Sequence, residues 1–147
     1  MDSFKFMGCE TGLSRLEIIK PDRRDIPCLT LPMTAYGEVE GDLLFLDSDI
    51  RVDEEDLSER IVTSYTRPSF VREEETGVSG FIWMHPYPFM GKPTGCIHSV
   101  VPSVSIRYED GMILKRLLNR HGKVRARVTA KCNIFEGESW NVCGEVK

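Results

Sequence analysis

The feature that most constrains the fold is a short β-branched segment that runs directly into an amphipathic helix. Pro102 opens this segment, and β-branched residues then alternate with serines up to Ile106, which is typical of a buried strand. Apolar side chains next recur at helical spacing as far as Leu118, and Gly122 is a suitable helix stop. Arg107 stands where a capping Ser or Thr is expected, which leaves the first helical residue open. One strand and one helix need neighbouring strands to cover them.

Further segments of short apolar or alternating residues, each bounded by turn residues, predict those neighbours. Pro27 and Pro32 place the strand predicted at residues 26–31 at a sheet edge, because proline has no N–H to donate to a central ladder. A brief helix is expected at residues 68–76, ending at Gly77. The predicted strands are residues 13–20, 26–31, 36–47, 60–65 and 80–84.

The last part of the chain contains the cleanest alternation. Residues 123–132 alternate between apolar and mostly basic side chains, which predicts a strand with one buried face. Residues 136–138 (Glu-Gly-Glu) suggest a turn, so that residues 139–146 would form a final strand of an antiparallel hairpin. With two or three short flanking helices, these strands predict a β-rich α+β domain, either a partly closed barrel or a sandwich.

Composition places the chain among ordinary globular proteins. Its 147 residues suggest one domain, and 41% hydrophobic with 29% charged residues argue against disorder. The net charge of −4 comes without a basic block, which argues against a nucleic-acid partner. No apolar run approaches the roughly 18 residues of a membrane-spanning helix, and no secretory signal pattern is visible.

The five cysteines are scattered and show none of the close spacings of zinc or redox motifs. We therefore expect unpaired thiols, buried or partly buried, in a reducing compartment, which mildly favours the cytoplasm and leaves the location otherwise unknown. The cysteines are Cys9, Cys28, Cys96, Cys132 and Cys143.

A loop rich in proline and aromatic residues follows the predicted strand at residues 80–84. Exposed apolar patches mark interaction surfaces, so one interpretation is that the large side chains here face a partner domain or a substrate. The other is that they fold back as a small satellite core, and the sequence leaves both open. The candidate interface residues are Trp83, His85, Tyr87, Phe89 and Met90.

Motifs for catalysis are missing from the sequence. The three histidines are isolated, and no zinc-ligand spacing or nucleophile elbow occurs. An enzyme built from this chain alone would need Cys96, His85 and His98 to converge. The sequence therefore predicts no catalytic, metal-binding or cofactor-binding residue.

Four segments of the chain carry a resemblance: residues 41–46, 59–62, 77–82 and 101–118. Taken together, they resemble the protease-associated (PA) domain family. Members share a Gly-Lys-Ile-Val-Leu strand, an Ala-Gly-Ala-x-Gly-Val-Ile turn and an Ile-Pro-x-Val-x-Ile-x-x-x-Asp-Gly strand-to-helix unit in this order. Residues 124–146 are similar to the segment that leads from the PA domain into the catalytic domain of zinc aminopeptidases and glutamate carboxypeptidase II-like peptidases.

The resemblance implies a division into an entry segment with flanking strands, residues 1–35, and a PA-like domain, residues 36–147, in one compact unit. It also implies a parent zinc aminopeptidase whose two zinc ions are bound in a separate catalytic domain. This chain would then be non-catalytic, with the peptidase domain of the parent and a peptide or protein substrate as partners. The alternative is a stand-alone module that binds a small ligand or a peptide near the loop and residues 98–101.

Overall fold

A computed structural model describes residues 2–46, 56–65, 76–95 and 98–141 of the 147. Within them lie eight strands and one helix. In chain order these are β1 (Asp2–Lys20), β2 (Arg24–Ile26), β3 (Leu29–Thr30), β4 (Gly37–Leu46), β5 (Arg60–Ser64), β6 (Gly80–Met84), β7 (Ser103–Ile106), α1 (Tyr108–His121) and β8 (Arg125–Asn141).

All eight strands belong to one mixed sheet in the order β2-β1-β8-β4-β5-β6-β7-β3. Strands β4 to β7 run parallel, whereas β8 is antiparallel to both β1 and β4. The sheet is not closed into a barrel, because β2 and β3 form its two edges. The β-rich α+β class predicted from the sequence is confirmed.

The strand-to-helix unit that constrained the prediction forms as expected. Arg107 is extended and makes no side-chain cap; instead its guanidinium holds Asp110 in the first turn, with Nε 2.9 Å from Oδ2. At the other end Gly122 has a φ of 72° and donates its N–H to the Leu118 carbonyl at 2.7 Å. This left-handed conformation favours glycine, which explains why the helix ends there.

Two apolar clusters cover opposite faces of the parallel strands. The larger lies between the sheet and α1 and includes Leu114 of the helix together with Ile82 and other fully buried strand residues. The smaller is centred on Phe81 and Val62 on the other face. Both faces of the central strands are thus buried, which accounts for their short, continuous apolar sequences.

The hairpin predicted for the end of the chain is wrong. Residues 136–138 make no turn: β8 continues through them to Asn141 and pairs along its length with β1, which itself begins at Asp2. Gly137 lies opposite Phe6, and a Cβ at this glycine would be 2.5 Å from the Phe6 ring. The glycine therefore makes room for a cross-strand ring rather than for a turn.

The expectation of unpaired thiols is also wrong for two of the cysteines. Cys9 and Cys132, 123 residues apart, form a disulfide between β1 and β8. Disulfides are typical of oxidising compartments, so the thiols no longer favour the cytoplasm. Cys28 is a free, half-buried thiol whose pKa burial raises. Cys96 and Cys143 lie outside the described residues.

The entry segment shares its sheet with the rest of the chain. Residues 1–35 contribute β1, β2 and β3, and β1 lies directly between β2 and β8. The helix predicted at residues 68–76 falls almost wholly outside the described residues. Across the described ranges, no helix has the length and apolar character needed to cross a membrane.

Candidate functional site

The loop after β6 begins at one edge of the parallel strands. Met84 and Ile106 are paired in the β6–β7 ladder, and the His85 N–H donates to the Ile106 carbonyl at 3.1 Å. Because parallel strands end at the same edge of a sheet, the loop that follows β6 starts beside the first turn of α1, which follows β7. The loop is thereby fixed at its base.

The five candidate interface residues separate into two groups. Trp83 is half-buried, packs on the smaller cluster, and donates its Nε1–H to the Tyr65 carbonyl at 3.2 Å. His85 is half-buried, and its Nδ1 lies 3.1 Å from the Tyr87 backbone N. The remaining three are exposed and form what we call the loop tip: Tyr87 (67% exposed), Phe89 (95%) and Met90 (52%).

Glu109 holds the backbone of the loop tip. The Phe89 N–H donates to Glu109 Oε1 at 2.7 Å, and Phe89 has a φ of 60°, an uncommon conformation for a residue with a side chain. This hydrogen bond is the largest cause of a lowered Glu109 pKa, to which the nearby Arg107 guanidinium also contributes. The tip is thus an exposed aromatic group on a backbone that α1 positions.

Sequence reasoning does not find this role of Glu109, because an acidic residue in the first turn of a helix is already accounted for by the helix dipole. No pattern in the sequence connects Glu109 with Phe89, because they lie 20 positions apart on different elements. What the sequence does show is the high density of large apolar residues between prolines, and this pattern marks the loop tip.

The described residues do not test whether Cys96, His85 and His98 converge. His98 is exposed, and Cys96, the proposed nucleophile of an enzyme built on this chain, is outside the described residues. In the described part of the chain, no three His, Cys, Asp or Glu side chains are placed to hold a metal ion. These residues therefore do not supply the ligands of a zinc centre.

The chain is similar to known proteins in its fold rather than in its sequence. No family model matches the chain, and no curated protein sequence matches it. Several solved structures do match the chain. An aminopeptidase from Aneurinibacillus sp. strain AM-1 superimposes over 93% of this chain with a TM-score of 0.76 at 19% identity. The chain shares its fold with part of a peptidase.

Two further solved structures agree. A peptidase M28 precursor from Shewanella amazonensis SB2B matches 94% of the chain, with a TM-score of 0.76 and 13% identity. A zinc aminopeptidase from Bacillus subtilis matches 92%, with a TM-score of 0.62 and 16% identity. The chain spans only 35%, 38% and 36% of the three proteins, respectively.

Proposed function

We propose that this chain is a non-catalytic PA domain of a zinc aminopeptidase-like hydrolase, and that its loop tip packs against the peptidase domain of the same protein beside the substrate entrance. The observation that carries the proposal is the fold match, which covers over 90% of this chain but little more than a third of each peptidase. Nearly two thirds of those proteins therefore lie outside the matched region.

The loop tip has the properties of a binding anchor. Phe89 is 95% exposed, so nearly its whole ring is available to a partner. Its backbone is held by Glu109, so little conformational entropy is lost when the ring is buried. Aromatic residues that fill a partner pocket commonly account for much of the binding free energy.

Zinc chemistry would belong to the rest of such a protein. The described residues of this chain offer no group of metal ligands, so they do not fit a zinc site. What this chain would provide is a wall beside the active site, which orients or limits peptides by shape. The expected effect is on long peptides rather than on single aminoacyl substrates.

The test uses the complete reading frame that contains this chain, with Phe89→Ala compared with Met7→Ala, an exposed apolar residue on β1 (58% exposed). Hydrolysis of aminoacyl chromogenic substrates and of peptides of two to ten residues is measured with added zinc. We expect Phe89→Ala to change kcat/KM for the longest peptides about tenfold or more, the effect of losing one anchor residue. The aminoacyl substrates and the Met7→Ala variant should remain at the unmodified level.

Two results would overturn the proposal. If the reading frame has no zinc-dependent peptidase activity, the assignment to a peptidase fails. If activity is present but the two variants behave alike on every peptide length, the fold assignment stands and the role of the loop tip fails.

A further inference from the structure

A cleft of about 520 Å³ lies where β1 ends and β8 begins. Of the four described residues that line it, three carry a positive charge. Such a concentration of cations is unexpected in a chain whose net charge is −4, and a cleft of one sign attracts ligands of the other. The lining residues are Lys20, Asp42, Lys123 and Arg125, and we call the space between them the basic cleft.

A register shift in β1 turns Lys20 toward this cleft. Leu16 and Ile18 are fully buried, and strict alternation would place Lys20 on the same side of the sheet as these two. The β1–β8 ladder shifts by one residue between Ile18 and Lys20, so that Lys20 is paired with Arg125. Paired residues of neighbouring strands share a face, and β-bulges commonly redirect a side chain in this way.

This pairing brings two positive charges together, and like charges opposite each other in an antiparallel ladder are destabilising. Arg125 has its Nε 2.6 Å from Glu40 Oε1 and its Nη1 3.5 Å from Asp42 Oδ1. Lys123 Nζ lies 3.0 Å from Asp42 Oδ2. Lys20, in contrast, forms no ion pair with any residue that the structure describes. Two carboxylates thus face three cations, and the charge of Lys20 is left without a counter-charge.

Arg125 also keeps hydrogen-bond donors for a ligand. Its Nε–H donates to Glu40 and its Nη1 lies near Asp42, whereas its Nη2 makes no hydrogen bond within the described part of the chain. A guanidinium has five N–H donors, so one carboxylate partner does not exhaust them. An oxyanion between Lys20 and Arg125 would therefore accept a charge-assisted hydrogen bond from each side chain.

The cationic groups can be reached from solvent. The side chain of Lys123 is 76% exposed and that of Arg125 is 41% exposed, and Lys20 is exposed as well. The volume of the cleft falls within the roughly 300–1,000 Å³ of small-molecule sites. It therefore has room for a small organic ligand rather than for a lone ion only.

We propose that the basic cleft binds the oxyanion group of a small organic ligand, a carboxylate or a phosphate ester, between Lys20 and Arg125. The oxyanion would supply the counter-charge that Lys20 lacks and would separate the two like charges of the ladder. The cleft shares no residue with the loop tip, so the proposal does not depend on the proposed function.

Binding is tested by NMR titration of the chain at low ionic strength with N-acetyl-alanine, whose carboxylate is its only charge. We expect saturable shifts of the backbone amides of residues 20, 42–43 and 123–125, with a millimolar Kd because the cations are largely solvated. N-acetyl-alaninamide, which lacks the charge, should give no saturable shift. Raising the salt concentration to about 0.5 M should weaken binding about threefold or more through screening. Equal shifts with the acid and the amide would overturn the proposal.

Lys20→Gln is the decisive variant, and Lys5→Gln is its matched control. Both lysines are exposed and lie on β1, but Lys5 is paired with Glu138 and does not line the cleft. We expect Lys20→Gln to raise the Kd about fivefold or more without lowering the Tm, because it removes the ligand's cation and a like-charge pair together. Lys5→Gln should leave the Kd unchanged. If both variants bind as the unmodified chain does, Lys20 is only a solvated surface charge and the proposal fails.

A second pair of probes identifies the source of the oxyanion. Glycerol phosphate and glycerol differ by one phosphate group and are titrated in the same way. If glycerol phosphate has the lower Kd and the same dependence on Lys20, the cleft is a phosphate-ester site; if N-acetyl-alanine does, it is a carboxylate site. Failure of both anions to saturate the shifts would overturn the proposal while leaving the assignment of the fold and the loop tip unaffected.

Discussion

The two halves of this sheet are held together in different ways. In the parallel half, β4 to β7, residues such as Phe81 and Ile82 are fully buried between packed faces. In the ribbon, defined as residues 2–11 of β1 paired with 132–141 of β8, aromatic rings remain largely in solvent, with Trp140 56% and Phe4 46% exposed. The comparison shows that one continuous strand can pass from a densely packed core into a region that is stabilised mainly between two paired strands.

The ribbon compensates for its lack of a core in two ways. The Phe6 and Phe135 rings lie over glycines on the opposite strand, with centroids 6.5 Å apart in an edge-to-face arrangement. Rings that cover cross-strand glycines restore packing that glycine itself lacks. The Cys9–Cys132 disulfide then links the two strands where the ribbon joins the sheet.

Truncating one phenylalanine in each half should give the largest contrast. Phe81→Ala leaves a cavity in the core and is expected to lower the free energy of unfolding by about 3–5 kcal/mol. Phe135→Ala removes a ring that is 44% exposed and is expected to cost about 1 kcal/mol. Urea unfolding measures both, and equal losses would show that the ribbon belongs to the same packed core.

Removal of the disulfide should affect the ribbon far more than the parallel half. The double variant Cys9→Ser, Cys132→Ser is expected to cost about 2–4 kcal/mol, since the bond closes a loop of more than a hundred residues. Hydrogen exchange should accelerate in residues 2–10 while β5 and β6 stay protected. Cys28→Ala is the control, because Cys28 is a free thiol. If exchange rises uniformly, the ribbon does not open separately.

Replacing a glycine that faces a side chain by alanine should destabilise the packed core and the ribbon by different amounts. A Cβ at Gly111 of α1 would lie 2.5 Å from the buried Met84 side chain, whereas one at Gly137 would meet the Phe6 ring, which is 40% exposed. Gly111→Ala is expected to cost about 1 kcal/mol net, because overpacking outweighs the gain in helix propensity. Gly137→Ala should cost less, since the Phe6 ring can move into solvent. Thermal unfolding of both variants tests this order.

The smallest expected effect concerns the junction of the two halves, where Glu40 of β4 meets two arginines of β8. Arg125 Nε lies 2.6 Å and Arg127 Nη2 lies 3.0 Å from the Glu40 carboxylate, and these hydrogen bonds lower the pKa of Glu40. The folded pKa is below the unfolded value of about 4.3, so this stabilisation is present above that pH and is lost as the pH falls through the folded pKa.

The urea midpoint of Glu40→Gln should therefore lie slightly below that of the unmodified chain at pH 7, and the two should converge at low pH. A difference that persists after the carboxyl is protonated would mean that Glu40 acts through packing rather than charge.

Predictions from the sequence succeeded where the determining residues are neighbours in the chain. The alternating serines before Ile106, the helical spacing up to Leu118 and the stop at Gly122 are local signals, and the strand and helix form there as expected. The short apolar runs of β5 and β6 were likewise sufficient, because strands buried on both faces are apolar throughout.

Only the tertiary structure decided how distant segments meet. The Glu-Gly-Glu signal at residues 136–138 gave way to pairing with β1, the Cys9–Cys132 bond joins residues 123 positions apart, and Glu109 holds Phe89 from another element. The sequence alone determined the periodicity of the helix and strands and several of their ends, because these signals are local. Strand register and side-chain partners depend on long-range contacts. Many registers could satisfy those contacts, and packing of the whole sheet selects among them.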